Sequence, residues 1–205
     1  MIKNIIFDMG NVLIHFDRAA FLDAVDAEGE DRELLLREVF LSVEWSMMDR
    51  GSLTEEQAAE RMCSHVPERL HEKVHALVDR WDRPILPVEG MAELVRELRE
   101  NGYGIYLLSN ASYRQHEYWP KIPGSEYFMD TLVSADHKLV KPQPEIYLHA
   151  LYQFGVKADE CVFIDDATPN VEAAVYCGMS GIAFHNDTVE LRRKLRALGV
   201  NCCSA

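Results

Sequence analysis

Positive charge is scarce in this chain. Its 205 residues hold 21 Lys and Arg against 34 Asp and Glu, a net charge of −13. A surface of that sign repels nucleic acid and anionic membranes, so neither is expected as a partner. An anionic substrate must therefore meet local positive charge, from a metal ion or from a placed Lys or Arg. Cysteine is unsuited to a disulfide frame. Cys63, Cys161, Cys177, Cys202 and Cys203 form no CxxC pair and are odd in number, which fits reduced thiols in a cytoplasm. No apolar run approaches the length of a membrane span. The first strand-like stretch starts within a few residues of Met1, which leaves no room for a secretion signal, and a cytoplasmic location is expected. There is no internal repeat and no low-complexity tract. The remaining composition, 48% hydrophobic and 27% charged, is that of a globular protein with one good core, or a core and a smaller module.

Strand signals are also missing over a long stretch. Between His15 and Arg83 the apolar residues recur at helical spacing, over 16–27, 33–41, 54–65 and 68–81. The third of these opens with two overlapping cap signals, Ser52 with Glu55 and Thr54 with Gln57. Pro84 and Pro87, neither suited to a helix interior, mark the exit. Residues 15–85 therefore read as a helical bundle inserted after the first strand. On either side, residues 1–14 and 86–205 alternate strands with helices: strands near 5–7, 104–108, 130–134, 161–164 and 181–184, and helices over 88–101, 111–118, 145–154, 168–177 and 187–198. In the helix at 168–177, Thr168 is the expected N-cap and Pro169 the first position. Alternation of this kind implies a doubly wound, Rossmann-like parallel sheet in an α/β core, with the helical bundle as a cap.

Polar clusters fall where the strands end. Ile5-Ile6-Phe7 runs into Asp8-Met9-Gly10-Asn11; the second strand ends at Ser109-Asn110; the fourth ends at Asp165-Asp166. Lys141 opens a helix in the loop after the third. In an open parallel sheet, ligands bind beyond the carboxyl ends of the strands, so one crevice could gather all four. Each has an ordinary alternative: Asp8 shaping a turn, Ser109-Asn110 capping a helix, Lys141 in solvent, Asp165-Asp166 facing a helix dipole. Taken together, Asp8 and Asp166 are oxygen ligands suited to Mg²⁺. Ser109 and Asn110 offer donors to a phosphoryl oxygen, and Lys141 offers a compact positive charge. A carboxylate nucleophile, a divalent cation and a lysine around one phosphoryl group amount to covalent and electrostatic catalysis.

Asp8-Met9-Gly10-Asn11-Val12, Ser109-Asn110, Lys141-Pro142 and Asp165-Asp166 resemble the four motifs of the haloacid dehalogenase (HAD) superfamily, over essentially the whole chain. The helical insertion is similar to the all-helical cap of a phosphatase-like subfamily. With Asp49-Arg50-Gly51-Ser52-Leu53-Thr54-Glu55-Glu56 and Trp119-Pro120, the motifs look most like those of bacterial α-D-glucose-1-phosphate phosphatases. The resemblance implies a hydrolase in which Asp8 attacks phosphorus and water releases the aspartyl-phosphate. Mg²⁺ would lie between Asp8, the main-chain carbonyl of Gly10, Asp166 and a small phosphorylated metabolite. Ser109, Asn110 and Lys141 would hold phosphate oxygens, Lys141 would restrain the Asp8 charge, and Asp165 would stand behind the ligands.

One position departs from that pattern. Most phosphatases of the superfamily carry a second aspartate two residues after the nucleophile, as general acid and base; here it is Gly10. His15 or a metal-bound water could take its place, or the leaving group could be a good one, as in a sugar 1-phosphate. The 2-haloacid dehalogenases also lack that aspartate and use no metal, but the Asp165-Asp166 pair has no evident purpose in a metal-free site, which favours the phosphatase. A non-catalytic phosphate-binding protein is the third reading. Substrate choice is expected in the helical cap, with Glu44, Trp45 or their neighbours presented to the substrate. The motifs do not discriminate between a monomer and a homodimer.

Overall fold

The computed structural model describes residues 1–203. β1 (Asn4–Phe7) leads into a run of helices: α1 (Arg18–Ala24), α2 (Gly29–Leu35) continued by a π-helical turn (Leu36–Phe40), α3 (Val43–Asp49), α4 (Glu55–Cys63) and α5 (His71–Asp79). Then come α6 (Met91–Glu100), β2 (Gly104–Ser109), α7 (Gln115–Tyr118), β3 (Asp130–Val133), α8 (Ser134–His137), α9 (Pro144–Phe154), β4 (Cys161–Asp165), α10 (Thr168–Tyr176), β5 (Ser180–Ala183) and α11 (Thr188–Ala197). All five strands are parallel, in the order β3-β2-β1-β4-β5. The order reverses at β1, which is where a doubly wound sheet opens a crevice.

Successive side chains of β1 enter different apolar layers, as a strand's two-residue period requires. Ile5 and Phe7 pack with α6 (Leu94, Leu98) and α11 (Leu191, Leu195) on one face. Ile6 packs with α9 (Ile146, Tyr147, Ala150) and Ala174 of α10 on the other. Both faces are covered, which is why the strands are near-continuous runs of Ile, Leu, Val and Phe. The helical segment has a core of its own, with Leu35, Val39, Met62, Val74 and Leu77 buried among themselves. Its two connections run side by side: Val88 N–H donates to the Leu13 carbonyl and His15 N–H to the Leu86 carbonyl.

The structure differs from the sequence reading at particular places. α3 was not expected; Ser42 caps it, its hydroxyl accepting from the Trp45 amide. At α4 the cap box that forms is Thr54 with Gln57. Thr168 is already helical, and the N-cap position is Ala167. The Ala167 amide is held by Asp165 Oδ1 at 2.8 Å, and no side chain caps the first turn of the helix. The helix expected over 111–118 shrinks to the single turn α7, because residues 111–114 form a loop at the site.

Candidate active site

Phe7 stands level with Leu107 on one side and Ile164 on the other. Asp8 therefore emerges between the carboxyl ends of β2 and β4, its amide held by the Ile164 carbonyl at 2.8 Å. The Lys141 ammonium reaches the same point. It lies 2.7 Å from Asp8 Oδ1, 2.7 Å from Asp165 Oδ2 and 3.0 Å from the Leu108 carbonyl, which accounts for all three of its N–H donors. Its side chain is 1% exposed. Asn110 places the lysine: its amide group donates to the Lys141 carbonyl at 3.0 Å and its side-chain oxygen accepts from the Lys141 amide at 2.8 Å. The sequence reading put the Asn110 amide and the Lys141 ammonium on phosphate oxygens. Here both ends of that amide hold the lysine loop, and the ammonium is engaged by Asp8 and Asp165.

The two adjacent aspartates divide their tasks. Asp165 is fully buried, and both its oxygens are occupied by Lys141, the Ala167 amide and the Asn170 amide group. Asp166 is half-buried and accepts one bond, from Asn11 Nδ2 at 3.0 Å. Asn11 adopts φ +54°, a conformation Asn tolerates, and its side-chain oxygen also receives the Phe16 amide at 2.9 Å. Carboxyl oxygens of Asp8, Asp165 and Asp166 lie within 4.8 Å of one another. The Gly10 carbonyl accepts no backbone hydrogen bond among the described residues. Three carboxylates against one ammonium leave an excess of negative charge beside free hard oxygens, a donor set that fits Mg²⁺.

Asp8, Gly10, Asn110, Lys141 and Asp166 line one cavity of about 350 Å³, a size typical of small-molecule sites. Ser109 does not line it. Its hydroxyl is buried at the same strand end and has no partner, which a phosphoryl oxygen would supply. The opposite wall comes from the helical segment.

Residues 2–178 match the family model of haloacid dehalogenase-like hydrolases. The chain belongs to that family. It is 33% identical over 114 residues to the chloroplast flavin mononucleotide hydrolase 1 of Arabidopsis thaliana, a match covering 56% of this chain and 46% of that one; it thus spans about half of that protein. It is 28% identical over 207 residues to the sesquiterpene phosphatase AstK of Aspergillus oryzae, covering 98% and 97% of the two chains. Its fold is similar to that of a HAD family enzyme from Bacteroides thetaiotaomicron, solved with magnesium and inorganic phosphate. There the TM-score is 0.69 at 24% identity, covering 93% of this chain and 99% of that one.

In this HAD-like hydrolase the electrostatics at Asp8 are governed by burial. Burial raises the Asp8 carboxyl to about 7; Lys141 pulls it down and Asp165 pushes it up. Burial works to lower Lys141, but Asp8 and Asp165 outweigh it and hold the ammonium above its ordinary value. A divalent cation beside Asp8 would restore the ionised form.

The helical wall of the hydrolase is aromatic. Phe16, Phe40, Trp45 and Trp81 line the cavity and touch edge-to-face or tilted, with ring centres 5.0 Å apart for Phe16–Trp81 and for Phe40–Trp45. Of the residues expected to face a substrate, Trp45 lines the cavity; Glu44 is buried and does not. Trp119 packs against Phe128. His15 faces an outer groove with Arg18 and Asp166, outside the cavity of Asp8.

Sequence reasoning missed Asn170 and Arg114, and it quoted Asp49 within the stretch 49–56 without giving it a role. Asn170 was a plain helix position, with no local signal. Arg114 lies in the loop after β2 and donates to Asp82 Oδ1 at 2.6 Å and to the Val78 carbonyl at 2.9 Å, tying the core to the end of α5. Its signal was a basic residue four positions after Asn110 in an acidic chain. Asp49 ends α3 and lines the cavity with Asp8 and Lys141; burial raises its carboxyl to about 7, against the pull of Lys141.

Proposed function

We propose that this hydrolase is a Mg²⁺-dependent phosphatase of a small phosphorylated metabolite, a sugar phosphate such as a hexose 1-phosphate, acting through an aspartyl-phosphate on Asp8. One observation carries the reading. A buried carboxylate at the switch point of the sheet is fixed by Lys141 through one oxygen, beside a second carboxylate, Asp166, that keeps an oxygen free. Mg²⁺ held by Asp8, Asp166 and the Gly10 carbonyl would supply positive charge to the phosphoryl oxygens and to the nucleophile.

The chain's own residues do the rest. Lys141 fixes the rotamer of Asp8 and keeps it aimed at the cavity. Asp8 attacks phosphorus, the ester P–O bond breaks, and water then displaces Asp8 from the phosphoryl group to give inorganic phosphate. Ser109 donates its hydroxyl to a phosphoryl oxygen, and the main chain around Asn110 closes the pocket. Residues 15–85 act as the cap, and their aromatic wall excludes water and receives the non-phosphate part of the substrate. Apolar faces of a sugar ring suit such a wall. The two relatives named for phosphate-ester substrates, and the magnesium and phosphate in the similar structure, support the same chemistry. A 2-haloacid dehalogenase would have little use for Asp166 held by Asn11 in the open mouth of the site.

Phosphate release from a panel of sugar phosphates, with and without Mg²⁺ and with Asp8→Asn alongside, tests this. Mg²⁺-dependent release that disappears in the variant is expected. Halide release from 2-chloropropionate without metal, and no phosphate from any ester, would overturn it.

A further inference from the structure

A phosphatase needs a proton for the departing oxygen and a base for the attacking water, and Gly10 can provide neither. We infer that Asp49, borne by the helical segment but fastened to the catalytic core, is the proton-transfer residue of this site. The inference rests on the phosphatase reading above.

Three observations converge on it. Asp49 lines the cavity that Asp8, Gly10 and Lys141 line. The turn that bears it is locked to the core: the Asp49 carbonyl accepts a hydrogen bond from Ser134 Oγ, and Ser134 Oγ also receives the Ala111 amide, directly after Ser109-Asn110. Two residues on, the Gly51 carbonyl accepts from Lys138 Nζ and from the Tyr113 hydroxyl. Gly51 has φ +70° and lies so close to Ala135 that a Cβ would collide with its carbonyl, so the turn admits no other residue there without shifting. Finally, the Asp49 carboxylate makes no hydrogen bond or ion pair among the described residues. The other acids of the cavity are held: Asp8 by Lys141, Asp166 by Asn11, and Glu55 by the Arg114 amide. Asp49 thus has its backbone fixed and its carboxylate unengaged inside the cavity, as a group that exchanges protons with a substrate requires.

The proton balance closes on this one group. As Asp8 attacks phosphorus, the electron pair of the ester P–O bond passes to the leaving oxygen, which takes the proton of Asp49. The Asp49 carboxylate then takes a proton from water as that water attacks the aspartyl-phosphate. The P–O bond to Asp8 breaks, and Asp8 carboxylate, phosphate and protonated Asp49 are regenerated.

Leaving-group dependence tests this assignment. Two esters are compared in Mg²⁺: p-nitrophenyl phosphate, whose leaving group departs without a proton, and the alkyl phosphate best hydrolysed by the wild type. Asp49→Asn should slow the alkyl ester by about 100-fold or more. It should leave the first release of p-nitrophenolate within a few-fold, followed by accumulated phosphoenzyme, because the base for water is gone. Asp49→Glu, with a displaced carboxylate, should recover part of the alkyl-ester rate, and it carries the test if the Asn variant does not fold. Equal losses on both esters, or no loss on the alkyl ester, would overturn the role of Asp49. Wild-type protein inactive on both esters would overturn the phosphatase reading itself, so the two failures are distinct.

Discussion

The two walls of the cavity are built on different physics. On the sheet side, Asp8, Lys141 and Asp165 form a closed ionic lattice in which nearly every donor and acceptor has a partner. On the helical side, Phe16, Phe40, Trp45 and Trp81 meet through ring faces and edges, with Arg18, Ser46, Asp49 and Glu55 set among them. Buried charge tolerates no loose partner, because removing one group strands the others. Aromatic packing tolerates adjustment, because its attraction is spread over many weak contacts. The first kind of wall suits chemistry that must stay fixed. The second suits a surface that must adapt to a substrate.

Substitutions on the two sides should separate these properties. Asp8→Asn keeps the shape and removes the proposed nucleophile, so turnover should fall at least about 1000-fold with the fold intact; phosphate release and a thermal melt read both. Lys141→Ala leaves Asp8 and Asp165 buried without their cation. It should cost about 3–5 kcal/mol in chemical denaturation as well as activity. Phe40→Ala, on the helical wall, should cost about 3 kcal/mol through the cavity it opens. Its effect on turnover should appear in KM more than in kcat. If Phe40→Ala instead matched Asp8→Asn in kcat, the division between a chemical wall and a packing wall would fail.

Without divalent cation, stability should also respond to pH. The Asp8 and Asp49 carboxyls are raised to about 7 by burial, whereas the unfolded chain titrates them near 3.8. Between those values the folded state holds more protons than the unfolded one, so stability should fall as pH rises from about 4 to about 7. Denaturation midpoints across that range, repeated for Asp8→Asn, should show a shallower slope in the variant, and Mg²⁺ should offset the loss. The smallest effect is expected at the edge of the helical segment, where Thr54→Ala removes one half of a cap box and should cost about 1 kcal/mol by the same measurement.

The two walls were unequally legible in the sequence. Asp8, Lys141 and Asp166 could be read because each follows a strand or opens a helix, and the rules that place strand ends in parallel sheets are local. Their partners could not. Asn110 reads as a donor to a ligand until the loop of Lys141, 31 residues away, is seen lying against it. Thr168 has the chemistry of an N-cap, but it is already the first helical residue, behind Ala167, whose amide is held by Asp165 at the end of β4. Asp49 was quoted in the stretch 49–56, but its place at the site was hidden because Ser42-Val43-Glu44-Trp45-Ser46-Met47-Met48 has no clean helical period. Its orientation depends on Ser134, 85 residues further along. Of the aromatic wall only Trp45 was singled out, since phenylalanine and tryptophan at helical spacing look alike whether they fill a core or face a ligand.

Asn11 joins the two walls. One end of its amide holds Asp166 and the other holds the amide of Phe16, where the chain leaves the core for the helices. A rotation of the helical module about its paired connections would pull on a side chain that holds Asp166, a carboxylate of the proposed cation site. Reciprocity then applies: if an occupied aromatic wall tightens the grip on the cation, the cation must tighten the grip on that occupant by the same factor. A single asparagine in an unusual backbone conformation would thereby make substrate and metal affinity two views of one coupling free energy.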